Sequence, residues 1–223
     1  MHRRLREKRL AALAALDDPI RMALRDFVAR SPNPVSREQA AAEFGLPRST
    51  AAFHLDRLVA VGLLRVTYRR LSGRTGPGAG RPAKLYEPSG DEVAVSVPDR
   101  QYDLTAHVLA ETIEESSRTG EPADAVVARV AEGVGRSIGA AAGSLREALD
   151  RNGFEPRMSA GGSIALGNCP FRKLAQEYRD LVCGMNLALL TGIAAGCGDN
   201  DHVMVPDPDA GHCCVRVDPS PWH

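Results

Sequence analysis

The sequence predicts an α+β chain in two parts: a helical N-terminal part closed by a β-hairpin, and a C-terminal part that mixes helices with short strands. Three observations carry this. Charge is divided, with 17 Lys+Arg against 8 Asp+Glu in residues 1–90 (+9) and 11 against 20 in residues 91–223 (−9), beneath a formal net charge of zero. Helix start and stop signals recur at short intervals through the first sixty residues, then give way to two strand-like runs. All five cysteines fall between positions 169 and 214.

At 223 residues the chain can bury one large core or two small ones, and 43% hydrophobic with 25% charged residues is an ordinary globular composition. Disordered and collagen-like classes are excluded. The opening "MHRRLREKRLAALAAL" lacks the long apolar core and the cleavage site of a secretory signal. "LVCGMNLALLTGIAAGCG", residues 181–198, is uncharged, but it holds Asn186, Thr191 and four glycines and reads as a buried core helix. The expectation is a cytoplasmic protein outside the membrane.

In the N-terminal part, Asp18-Pro19 opens a helix, Asp as cap and Pro where no amide donor is needed. Ile20, Leu24, Phe27 and Val28 give it an apolar stripe. Ser36 with Gln39 forms a capping box for the short "REQAAAEF", which Gly45 ends. A third helix runs from about Arg48 to Val61. At 100° per residue its Ala51, Leu55, Leu58 and Gly62 fall on one side. Ser49, Thr50, Phe53 and Arg57 fall on the other, with His54 on the flank. A short helix, a tight turn and a helix with a small polar and cationic outer face is the helix-turn-helix pattern, whose second helix enters the DNA major groove. "LLRVTYRR" and "AKLYEP" then predict a hairpin. Its Gly/Pro-rich tip, bracketed by Arg69, Arg70, Arg74, Arg81 and Lys84, suits phosphates or the minor groove. Residues 18–88 resemble a winged helix of the ArsR/MarR-like repressor type. The DNA-contacting set expected is Arg48, Ser49, Thr50, Phe53, His54, Arg57, Arg69, Arg70, Arg74, Arg81 and Lys84. The domains read as a winged helix-turn-helix over 1–90, a linker over 91–100, and a sensor and dimerisation domain over 101–223. The leading basic helix is expected at a dimer interface or on phosphate.

In the acidic part, helices are expected around 103–119 and 122–142, the second rich in the Ala and Gly that let helices approach closely. "RNGFEPRMS", "GGSIALGNC", "HVMVP" and "CCVRV" are strand-like pieces around the helix that starts "PFRKLAQEY". No catalytic constellation is visible, and an enzyme is not expected. Thirteen residues separate Cys169 from Cys183, thirteen separate Cys183 from Cys197, and fifteen separate Cys197 from Cys213. No pair forms C-x-x-C, so neither a zinc knuckle nor a ferredoxin run is present. Spacing alone leaves metal ligands and buried thiols both open. If the valines of "CCVRV" face the core, Cys213 points in and Cys214 out.

"NCPFRKLA…LVCGMNLALL…GHCCVRV", attached to this winged helix, is similar to the SufR-type iron–sulfur regulators and their relatives in high-GC Gram-positive bacteria. The resemblance implies a homodimeric repressor on a palindromic double-stranded DNA operator, controlled by an iron–sulfur cluster (2Fe–2S or 4Fe–4S) and acting on cluster-assembly genes. It implies Cys169, Cys183 and one of Cys213/Cys214 as ligands, with Cys197 as the fourth; the expected set is Cys169, Cys183, Cys197 and Cys213. Gly167, Asn168, Gly184 and Asn186 flank these positions and would allow N–H···S bonds. Two alternatives keep the winged-helix repressor and change the signal: a divalent metal bound by Cys with His202 or His212, or a redox change at the same thiols.

Overall fold

The computed structural model describes residues 2–70, 82–207 and 212–221. They form an α+β protein of two compact units, residues 1–95 and 96–223.

The first unit runs α1 (His2–Ala15), α2 (Pro19–Arg30), β1 (Val35–Ser36), α3 (Arg37–Phe44), α4 (Arg48–Ala60), β2 (Leu64–Arg69) and β3 (Ala83–Pro88). The caps act as the sequence predicts. Asp18 accepts from the amides of Ile20 and Arg21 at 2.9 and 3.0 Å, and Ser36 and Gln39 exchange both capping-box bonds. Gly45 ends α3 at φ 62°, a left-handed turn that costs glycine nothing. Leu24 and Val28 of α2 meet Ala51, Leu55 and Leu58 of α4 in one core, while Ile20, first of the expected stripe, stays exposed. The sheet is antiparallel in the order β1-β3-β2, with Leu64 opposite Pro88 and Arg69 opposite Ala83.

The second unit holds α5 (Tyr102–Thr119), α6 (Ala123–Ala140), α7 (Leu145–Arg151), β4 (Pro156–Met158), β5 (Ile164–Leu166), α8 (Arg172–Glu177), α9 (Arg179–Cys197), β6 (His202–Pro206) and β7 (Val215–Pro219). Its centre is the contact of α6 with α9. A Cβ on Gly139 would stand 2.2 Å from the Ile193 carbonyl, and one on Gly196 would stand 2.2 Å from the Arg136 carbonyl, so the backbones touch where side chains would normally keep them apart. By length and composition α9 could cross a bilayer; here its Leu189, Leu190 and Ile193 are buried in this unit's core. The antiparallel sheet β4-β5-β7-β6 completes the core with Ile164, Leu166, Val215 and Val217.

Candidate nucleic-acid interface and thiol site

On α4, Arg48, Ser49 and Arg57 are exposed and Thr50 is half-buried. Phe53 is 64% exposed, an unusual state for an aromatic on a helix whose other side is the core. No side chain caps the start of α4, so its first amides are open to a phosphate. His54 does not belong to this face. It is buried at 9% exposure, its Nδ1 4.0 Å from the Asp18 carboxylate and its ring edge-on to Phe53. At 100° per residue it sits next to the core face, and the packing of α2 closes over it.

The hairpin is tied to the same helix. Asp56 of α4 accepts from the Tyr86 hydroxyl at 2.8 Å and pairs with Lys84. Burial, and then the Asp56 carboxylate, push the Tyr86 phenol up to about 12. Lys84 therefore braces β3 against α4. Arg69 and Arg70 are exposed at the end of β2. Arg74 and Arg81 lie outside the described residues.

In the second unit, Cys169, Cys183, Cys213 and Cys214 line one cavity of about 350 Å³. Three chain segments supply them: the loop after β5, the second turn of α9, and the residues just before β7. Arg172, Gln176, Arg179 and His212 complete the wall. Cys197 is not there. It ends α9 fourteen residues beyond Cys183, roughly 21 Å along a helix that rises 1.5 Å per residue. Its thiol instead lies 3.5 Å from the Gly139 carbonyl. The place expected for Cys197 is taken by Cys214. The in-and-out alternation expected for "CCVRV" holds in burial, with Cys213, Val215 and Val217 buried and Cys214 and Arg216 half-buried; both cysteines nevertheless line the cavity, just ahead of β7, which begins at Val215.

All five cysteines are free thiols. Those of the cavity share protons. A hydrogen bond from Cys213 lowers the Cys169 thiol against the effect of burial. A hydrogen bond from Cys213, more than those from Cys183 and Asn186, holds Cys214 down to about 6. Burial, then Cys214, pushes Cys183 up to about 12, and Cys213 is raised by its bonds to Cys169 and Cys214. Cys214 is thus poised as a thiolate, the form that binds soft metals, and Cys169 is shifted in the same direction. Asn186, fully buried, aims Nδ2 at the Cys213 sulfur at 3.4 Å and at Cys214 at 4.0 Å, while its Oδ1 has no partner. Among the described residues, no three His, Cys, Asp or Glu side chains could hold a single metal ion. His202 points its Nδ1 at Asp199, 3.0 Å away, and does not line the cavity.

Fold and site together define a class: a winged-helix protein with a separate, thiol-lined C-terminal unit. Residues 16–67 match the family model of a helix-turn-helix domain, which supports a DNA-binding transcription regulator. No curated protein and no solved structure matches the chain.

Proposed function

We propose that the chain is a cytoplasmic, homodimeric transcriptional repressor whose hold on a palindromic operator is controlled by an iron–sulfur cluster on Cys169, Cys183, Cys213 and Cys214. The observation that supports the reading is the convergence of four thiols from three segments on one cavity of about 350 Å³. The donor set fits such a group. It is all sulfur, it includes two thiols lowered by their neighbours, and a buried amide N–H is directed at sulfur. When bound, the cluster would supply a redox- and oxygen-sensitive centre; the protein's own part is to hold three segments together around it.

The exposed Leu10 and Leu13 of α1, with Ile20 and Met22 of α2, support an apolar contact between two copies. The test is purification without air, with iron and sulfide measured and operator affinity compared between loaded and stripped forms in the same salt. A brown protein whose two forms differ in affinity supports the reading; equal affinities overturn it. A second reading has one observation in its favour. Cys214, held low by Cys213 and in contact with Cys183, is placed for thiol–disulfide exchange, which would make the unit a metal-free redox switch. A colourless protein that gains a Cys183–Cys214 disulfide under mild oxidation would favour it.

A further inference from the structure

The chain passes into the C-terminal unit at Ser96. Three residues later it lies along the loop that presents Cys169. Asn168 Nδ2 donates to the Asp99 carbonyl at 2.9 Å, and Arg100 Nη1 donates to Asn168 Oδ1 at 2.7 Å and to the Cys169 carbonyl at 3.4 Å. The Gln101 amide donates to the Pro170 carbonyl at 3.2 Å. Three consecutive residues leading into α5 are therefore bonded to three consecutive residues centred on a cysteine of the cavity.

The clamp is built from the inside. Asn168 is 6% exposed, and its Nδ2 donates again to the Gly153 carbonyl at 2.6 Å, so both ends of its amide are used. Gly153 has φ +77°, and a Cβ there would stand 2.9 Å from that of Asp99; glycine is what lets the lead-in segment come this close. A passive tether between two units would not need a buried, saturated amide to hold it. The stretch expected as linker, 91–100, thus ends in residues fixed to the thiol site.

We infer that Arg100 and Asn168 are positioning residues that couple the thiol site to the DNA-binding unit, transmitting any displacement of Cys169 to residues 99–101 and so to the chain that runs back to Val95. The inference rests on the proposed regulation of DNA binding by that site. The bonds form one contiguous network between the two segments, and the Gln101–Pro170 bond within it joins backbone directly to backbone.

The test uses the full chain, purified without air, as wild type, Arg100→Ala, Arg100→Lys and Asn168→Ala, with an operator duplex selected from a random pool by loaded wild type. Iron and sulfide content, affinity of loaded and stripped forms, and amide hydrogen exchange over 99–101 are measured for each. Wild type should show a loaded-to-stripped affinity ratio of at least about fivefold, with faster exchange at 99–101 after stripping. Arg100→Ala and Asn168→Ala should keep their iron yet bring that ratio close to one. Arg100→Lys should restore it in part, since one lysine nitrogen carries three donors, as the bridging role of Nη1 requires. A wild-type ratio that persists in both alanine variants overturns this inference alone, as does exchange at 99–101 that is the same in both wild-type forms. Equal affinities in wild type overturn the regulatory reading beneath it. If an alanine variant loses its iron, the lysine variant and the wild-type exchange decide the matter.

Discussion

Cys214 shows how far a single side chain's behaviour depends on its neighbours. Its thiol is held down to about 6 by Cys213, while Cys183, one contact away, is pushed up to about 12 by burial. A lowered thiol is a thiolate above its folded value and loses that charge as pH falls through it. In cluster-free protein, alkylation of Cys214 should therefore climb through pH about 6 and level off, while Cys183 stays slow up to pH 8; peptide mass spectrometry with a graded pH series would show it. Replacement separates the cysteines further. Cys214→Ser should lose bound iron, and Cys197→Ser, at the far end of α9, should keep it. Iron retained by Cys214→Ser and lost by Cys197→Ser would mean the cavity is not the ligand site. His54 is the matching case in the first unit. Buried beside Asp18, it should cost roughly 0.5–3 kcal/mol of stability when changed to Ala and leave base preference untouched, as thermal melting and a binding-site selection would report. Both residues were legible as chemically notable types; neither role was, because each depends on which segment of another element closes over it.

At the scale of elements, the helix ends were readable and the helix contacts were not. Asp18-Pro19, the Ser36–Gln39 box and Gly45 mark their positions by local backbone chemistry. Leu145–Arg151 is a helix that the periodicity does not reveal, although Ser144 accepts from the Glu147 amide in a cap of the same kind. The glycines of α6 signal close packing and suggest a second copy as the partner, whereas Gly135 and Gly139 pack against α9 of the same chain. A pair of substitutions tests that contact. Gly139→Ala places a Cβ 2.2 Å from the Ile193 carbonyl and should destabilise by about 3 kcal/mol, since two backbones must separate. Gly133→Ala, in the same helix with open space at its Cβ, should stabilise by about 0.5–1 kcal/mol through helix propensity. Denaturant unfolding of both variants is sufficient; similar effects would mean α6 and α9 are not packed this way.

At the scale of the whole molecule, the division of charge separates the tasks. The basic unit should bind duplex with a strong salt dependence. Arg57→Ala should lose about 1–3 kcal/mol at the preferred site and relax one base position. Arg69→Ala, at the end of the hairpin, should weaken all duplexes alike and flatten the salt slope. Competition assays at two salt concentrations distinguish the two, and a specific site indifferent to Arg57 would move the reading face off α4. Switching operator occupancy from nearly full to nearly empty requires a coupling of about 5 kcal/mol between the thiol site and the DNA-binding unit. A recognition helix cannot supply that by itself.

The sequence alone determined the α+β class, the helix-turn-helix with its hairpin, and the crowding of thiols into the last quarter of the chain. These are set by caps, periodicity and composition, interactions that reach no farther than a turn or a strand. Only the tertiary structure decided that Cys214 and not Cys197 joins the cavity, that His54 is inside, and that Asp99–Gln101 is fastened to the loop of Cys169. Each of these joins residues tens of positions apart, and such pairs meet only after helices and strands have buried their apolar faces against one another.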